Sequence, residues 1–310
     1  MSEFRFKSFS LQNELSPMKV NTDGVLLGAM ASLPVQGAAG RDFKAQPFKV
    51  LDVGTGTGVI ALMIAQRLSG LPFSSCGAAP EGFCAAKNRV LNVKTAGAQD
   101  CELEGDVFDF QIEGIDIDEK AFLESSANFA ASPWSARLLS YKKALADISH
   151  LEEKYDLILS NPPYYDDSLP NPDQRKRVSR HFSGDRGLSY ETLAAFASEN
   201  LSGQGVLSII LPCESVKNAL RSARYCGLRL IRQVNIRSTE RKPFSRTLME
   251  FGLFQRPHNE AEKILETSRK ATKNRLDNSA NLLAEELTLM LNGSYTDTYR
   301  AIVKDFYLWA

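Results

Sequence analysis

"FKVLDVGTGTGVIALMIAQRL", Phe48 to Leu68, is the stretch on which the reading of this chain turns. Phe48–Val53 is a short aliphatic and β-branched run, the pattern of a buried strand, and from Val59 to Leu68 apolar residues return at helical spacing. Between them lies Gly54-x-Gly56-x-Gly58. A strand, a glycine turn and a helix together make a nucleotide-binding turn. The glycines let the backbone pass close to a ligand, and the start of the helix offers free N–H groups. The dinucleotide fingerprint spaces its glycines as G-x-G-x-x-G. Here the third glycine arrives one residue early and Val59 takes its place, so nothing in the turn favours NAD.

Outward from this unit the alternation repeats. "FQIEGIDID" (Phe110 to Asp118), "ARLLSY", "YDLILS", "GQGVLSIILP", "LRLIRQVNI" and "TLMEFGLFQR" read as strands. "EKAFLESSANFAAS" and "SYETLAAFASENL" (Ser189 to Leu201, opening on a serine cap) read as helices. Strands alternating with helices predict an α/β fold, a Rossmann-like doubly wound sheet that is mostly parallel. The chain reads as a single domain over 1–310, with an N-terminal segment 1–47, an insertion 69–109 and a C-terminal tail 257–310. The insertion is rich in Gly, Pro, Ser and Ala and carries three of the five cysteines. The tail reads as helical, "ANLLAEELTLML" setting its apolar residues on one face.

Lys+Arg and Asp+Glu both number 37, so overall charge gives no argument for nucleic acid. The five cysteines are odd in number and show no Cys-x-x-Cys or Cys/His ligand spacing, which predicts reduced thiols and no metal. "MSEFRFKSFS" contains no apolar signal core, and no run approaches the roughly 20 apolar residues of a membrane helix. The expectation is a cytoplasmic protein without membrane contact and with no obligate protein partner evident.

The acids and one proline turn carry the chemistry. Asp52 lies two residues before the first glycine, where a carboxylate faces a bound cation. Asp116 and Asp118 end the next strand, and a carboxylate accepts two hydroxyls of a ribose. An acid near a ligand amine, an acid on a ribose and no basic grip on phosphate together describe S-adenosylmethionine. The candidate cofactor residues are Asp52, Gly54, Thr55, Gly56, Gly58, Asp116, Ile117 and Asn161, the last also a candidate catalytic residue. "SNPPYY", residues 160–165, follows the strand "YDLIL", which its prolines must end. At the carboxyl edge of a doubly wound sheet such a turn suits methyl transfer to an exocyclic amine. The Asn161 side-chain oxygen and the Pro162 carbonyl would accept the amine's N–H groups and aim its lone pair, with Pro163 stiffening the turn. Tyr164 would stack on a flipped-out base, worth on the order of 1–3 kcal/mol. The bland reading of each motif is a tight connection; their occurrence together on one sheet favours the functional one.

"VLDVGTGTG" and "SNPPYY" resemble the class I S-adenosylmethionine-dependent methyltransferases that act on amines, whose sheet has seven strands. "FRFKSFSLQNELSPMKVNTDGVLLGAMAS" is more specific and is similar to the start of the bacterial tRNA(Val) adenine-37 N6-methyltransferase family. "IDIDEKA", "ASPW", "YDLILSNPPYY", "LSYETL", "RKPFSRTLMEF" and "KDFYL" are similar too, so the resemblance spans nearly all the chain except the insertion. It implies transfer of a methyl group from S-adenosylmethionine, which leaves as S-adenosylhomocysteine, to the N6 amine of the adenine beside the anticodon. It also implies that Lys19–Gly24 covers the cofactor, with Thr22 and Asp23 as contacts; a plain helix cap is the other reading of that segment.

Two departures stand out. The insertion has no place in the family pattern, and three roles stay open for it: a lid, a partner contact or an inert elaboration. The acid that usually meets the cofactor's adenine is missing near Lys143–Ala144, with Asp147 the nearest. For tRNA, "RKRVSRH" offers Arg175, Lys176, Arg177 and Arg180, and "RSTERKPFSR" offers Arg241, Lys242 and Arg246. The rival substrates are protein glutamine and adenine in DNA or rRNA. The rival of another class is an S-adenosylmethionine-binding protein without activity.

Overall fold

The computed structural model describes residues 3–33, 46–70, 108–148, 154–162, 188–254 and 283–310. Nine strands form one sheet. In spatial order they are β11 (Ser294–Tyr295), β10 (Glu285–Leu291), β8 (Leu228–Thr239), β9 (Arg246–Leu253), β7 (Leu201–Pro212), β6 (Tyr155–Ser160), β3 (Phe48–Val53), β4 (Phe110–Asp116) and β5 (Leu138–Lys142). β9 runs antiparallel to both β7 and β8, and β11 antiparallel to β10; the other neighbours are parallel. A two-stranded ribbon, β1 (Glu3–Arg5) with β2 (Ser10–Gln12), lies apart from the sheet.

The helices cover both faces. α1 (Thr22–Met30), α2 (Val59–Ser69), α3 (Glu119–Ala130) and α6 (Asp297–Val303) pack with the ribbon on one side, over Val50, Ile112, Leu157, Ile210, Val234 and Leu287. α4 (Tyr190–Asn200) and α5 (Val216–Tyr225) pack on the other, over Leu51, Ile158, Leu207 and Met249. Alternate residues of each strand feed the two cores, as the period of two requires. Strand order reverses between β3 and β6, and ligands of such sheets bind at the carboxyl ends beside that reversal.

The expected fold class holds, with two corrections at one edge. The sheet carries nine strands: the seven expected plus β10 and β11. The tail is also not helical throughout, because "EELTLML" is strand β10. Leu287, Leu289 and Leu291 alternate, Leu287 is buried, and the open edge of β8 pairs with the segment from Glu285↔Val234 to Met290↔Thr239. The Arg232 guanidinium grips Glu285 through two N–H groups, at 2.8 and 3.2 Å. Asn292 and Gly293, at φ 49° and 81°, then make the two-residue turn into β11. Only Asp297–Val303 is helical among the described tail residues.

α1 is held at both ends. Asn21 caps its start, Oδ1 accepting from Gly24 N at 2.9 Å. Beyond its finish, Glu250 of β9, 1% exposed, accepts from Ser32 N (2.7 Å), Ser32 Oγ (2.6 Å) and Ser208 Oγ (3.1 Å). Two arginines take the last carbonyls: Arg67 donates to Gly28 O at 2.9 Å and Arg232 to Met30 O at 2.8 Å. No helix among the described residues is long and apolar enough to cross a membrane.

Candidate active site

The glycine loop is folded over the end of β4. Gly54 N and Thr55 N both donate to Ile115 O, at 2.9 and 3.0 Å, and Gly58 N closes the turn on Thr55 O at 2.8 Å. Gly54, Gly56 and Gly58 all have positive φ, at 72°, 57° and 82°. A side chain at Gly58 would also sit 2.5 Å from the Phe129 ring, so close packing of α3 requires glycine there. At Gly54 the opposite holds: nothing lies within 4 Å of where a Cβ would be, leaving an open floor.

Three carboxyl-edge groups meet at this floor. Asp116 accepts Gly56 N at 3.0 Å on one oxygen and Asp118 N at 2.9 Å on the other. Burial pushes its pKa up, opposed by those same N–H bonds. Ile117 beside it is 63% exposed, an apolar face at the rim. Across the loop, Ser160 Oγ donates to Val53 O at 2.9 Å and so fixes the end of β6 against β3. Asn161 and Pro162 follow at once and are buried. Pro163 and Tyr164 lie outside the described residues.

Asp52 lies beneath the loop, fully buried. Its Oδ2 accepts the Thr55 hydroxyl at 2.8 Å, and Oδ1 has no hydrogen-bond partner among the described residues. Burial raises its pKa from 3.8 to about 7, against the lowering effect of the Thr55 hydroxyl. A carboxyl whose pKa is higher folded than unfolded stabilises the fold fully below about pH 4, and that contribution is lost as pH rises through about 7. Asp52→Asn keeps an oxygen for Thr55 and removes the ionisation. The variant is expected to melt above the wild type at pH 8, with the gap closing near pH 4. A pH-independent gap in thermal denaturation would refute this reading of the buried acid.

An orphaned carboxylate oxygen under an open glycine floor, an acid at the end of β4 and an apolar rim fit a cationic nucleoside such as S-adenosylmethionine. Asp147, the substitute acid near the end of β5, closes its own turn, accepting Ala144 N at 3.3 Å. The covering segment divides between its two readings. Asn21 is a helix cap and Thr22 an exposed first residue of α1, while the Asp23 carboxylate accepts from Arg246 Nε at 2.8 Å. Asp23 and Arg246, expected on cofactor and RNA respectively, thus hold each other. Arg241 and Lys242 are exposed on the β8–β9 connection, at the carboxyl end of β8. Arg175, Lys176, Arg177 and Arg180 lie outside the described residues, as do most of the insertion and Cys76, Cys84 and Cys101.

Four residues here escaped the sequence reading. Ser16 and Met18 lie over the glycine loop: a Cβ at Gly56 would be 3.5 Å from Ser16 Oγ and 3.8 Å from Met18 O. Met18 Sδ also accepts from Asn161 Nδ2 at 3.8 Å. Glu124 and Asn128, buried on α3, hold this segment from behind. Polar residues on an amphipathic helix carry no local sign of burial.

No family model matches the chain. Among solved structures, a predicted O-methyltransferase from Agrobacterium tumefaciens superposes with a TM-score of 0.51 over 92% of this chain and 96% of that one, at 14% identity, a likeness of fold. Curated relatives named tRNA1(Val) (adenine(37)-N6)-methyltransferase match along nearly the whole length. The protein of Pedobacter heparinus is 30% identical over 98% of this chain and 97% of its own. Those of Christiangramia forsetii and Phocaeicola vulgatus are each 31% identical over 98% of this chain and 97% of their own. With a doubly wound sheet, and a glycine floor beside the Asn161–Pro162 strand end at its switch point, the chain belongs to the tRNA1(Val) (adenine(37)-N6)-methyltransferase family.

Proposed function

We propose that this protein methylates the exocyclic N6 amine of adenine 37 in tRNA(Val), using S-adenosylmethionine. One observation carries the reading: the open floor at Gly54, the Asp116 carboxylate and the Asn161–Pro162 pair stand at the ends of neighbouring strands, with Val53 paired to both Ile115 and Ser160. The cofactor side and the amine side therefore meet across β3. Asp116 would take the ribose hydroxyls, Gly54 and Gly56 would pass beneath the cofactor, and Ile117 would face its adenine. When bound, S-adenosylmethionine supplies an electrophilic methyl on a sulfonium.

The remaining work falls to this chain. An aniline-like amine is a weak nucleophile because its lone pair is delocalised into the ring. The Asn161 side-chain oxygen and Pro162 carbonyl accept its two N–H groups, which favours a pyramidal nitrogen whose lone pair is out of conjugation with the ring and stabilises the positive charge that develops on nitrogen. A proton leaves nitrogen once the N–C bond has formed, so no strong base is required beforehand. Tyr164 would stack on the extruded base. Arg241 and Lys242, exposed on the same edge, suit the RNA backbone, as do Arg175, Lys176, Arg177 and Arg180 by their sequence.

The test is to incubate the protein with labelled S-adenosylmethionine and unmodified tRNA(Val), digest the RNA and locate the methylated nucleoside. N6-methyladenosine at position 37, absent from a transcript carrying guanosine there, is expected. Label appearing instead on DNA or protein offered in parallel would move the substrate and leave the amine chemistry.

A further inference from the structure

Residues 12–20 form a strap that crosses the site from the glycine loop to Asn161. Two side chains on one face of α3, four residues apart, fasten it. The Glu124 carboxylate is 0% exposed and accepts three consecutive backbone N–H groups of the strap: Glu14 and Leu15 on Oε1, the latter at 2.7 Å, and Ser16 on Oε2 at 2.8 Å. Such a run of amides around one anion is a nest, here filled by the protein's own carboxylate. Asn128 accepts Gln12 N at 2.7 Å, and its amide donates to Gln12 O at 3.0 Å and Thr57 O at 2.8 Å. That second donation ties the strap's start to the glycine loop itself.

The strap is also closed on itself. Val20 N donates to Asn13 Oδ1 at 3.0 Å, and Ser16 Oγ to Met18 O at 3.0 Å. Its crown is what reaches the site: Ser16 and Met18 over Gly56, and the Met18 sulfur against the Asn161 amide. Asp118, the residue whose N–H holds Asp116, caps the start of α3, its side chain accepting from Ala121 N at 2.9 Å. One rigid helix therefore fixes both the ribose-side acid and the roof.

The geometry points to Glu124 and Asn128 as positioning residues that preform the roof of the cofactor pocket, setting the height of Ser16–Met18 above the glycine loop and the orientation of Asn161. A buried carboxylate is costly unless its hydrogen bonds are met, and here three of them come from the strap. This inference rests on the cofactor reading above and goes beyond it, because that reading gives neither residue a contact with the ligand.

The test compares variants by calorimetric binding of S-adenosylmethionine, thermal melting and amide hydrogen exchange. Glu124→Gln replaces an acceptor facing Ser16 N by a donor. It is expected to weaken cofactor binding tenfold or more and to expose the amides of residues 14–16 to exchange in the ligand-free protein. Asp156→Asn is the control: Asp156 is similarly buried, accepting Lys49 N at 3.0 Å and Ser202 Oγ at 2.7 Å. Its variant should melt lower, with cofactor affinity unchanged. Asn13→Ala opens the strap without touching the core and should weaken binding with little change in melting. It decides the matter alone if Glu124→Gln does not fold.

Wild-type affinity in both strap variants, or equal loss in the Asp156 control, would overturn the positioning role while the cofactor reading stands. A wild type that binds no S-adenosylmethionine would overturn both.

Discussion

Asn161→Ala is expected to lower methyl transfer by roughly 10²–10³-fold, the range seen when one preorganised polar group at a charge-developing centre is removed. Asn161 is 6% exposed, directly after a strand end pinned by the bond from Ser160 Oγ to Val53 O. The substitution gives up the contact with the Met18 sulfur and leaves the glycine floor, Asp116 and the strap's anchors on α3 in place. Affinity for S-adenosylmethionine should stay within about twofold on the same reasoning, since the cradle acts on the developing charge and not on the bound ground state. Single-turnover methylation of tRNA beside calorimetric cofactor binding separates the two. Unchanged turnover would sink the amine-cradle role; a parallel loss of binding would recast Asn161 as a cofactor residue.

The second large effect concerns stability. Removing one partner of a buried ion network costs about 3–5 kcal/mol, because the charge left behind is uncompensated. Glu250→Ala removes the acceptor of two Ser32 donors and of Ser208 Oγ, and leaves Arg67 and Arg232 facing each other. Loss of solvent around the half-buried Arg67 brings its pKa down to about 10, and Glu250 is the charge that favours its cation. The melting temperature should fall by on the order of 10 °C, given roughly 2–4 °C per kcal/mol for chains approaching this size. Glu250→Gln keeps one oxygen for Ser32 and should recover part of the loss. Denaturant unfolding of the two variants checks the order; a Glu250→Ala midpoint at the wild-type value would mean that α1 is not anchored there.

What could be read directly from the sequence shares one property: it is local. The run from Phe48 to Leu68 holds a strand, its turn and its helix within one contiguous pattern; Asp116 closes an apolar strand and Asn161 directly follows one. Where a decision depended on a distant partner, the sequence was silent or misleading. "EELTLML" alternates like a strand but sits among helix formers, and the open edge of β8 decided between the two. Glu124 and Asn128 look like the wet face of an amphipathic helix. They are buried because a segment more than a hundred positions earlier lies across them. The bond that joins Asp23 and Arg246 across 223 positions is announced by neither residue's own segment.

The ribbon has its own distant partner, and this bears on the order in which the molecule can be assembled. Phe6 stacks on Tyr307 with ring centroids 5.7 Å apart, and Phe4 meets the same ring at a tilt, 6.3 Å away. Lys7 donates to the carbonyls of Lys304 and Ala310, 297 and 303 positions away. A ribosome adding about 5–20 residues per second takes roughly 15–60 s to join those two stretches. For that interval the first-made phenylalanines have no aromatic partner from the tail, and chain closure over so long a loop comes late in folding. The tail thus delivers β10, β11 and the ribbon's aromatic cover together at the end of synthesis, whereas Glu124 and Asn128, which hold the roof, are made far earlier.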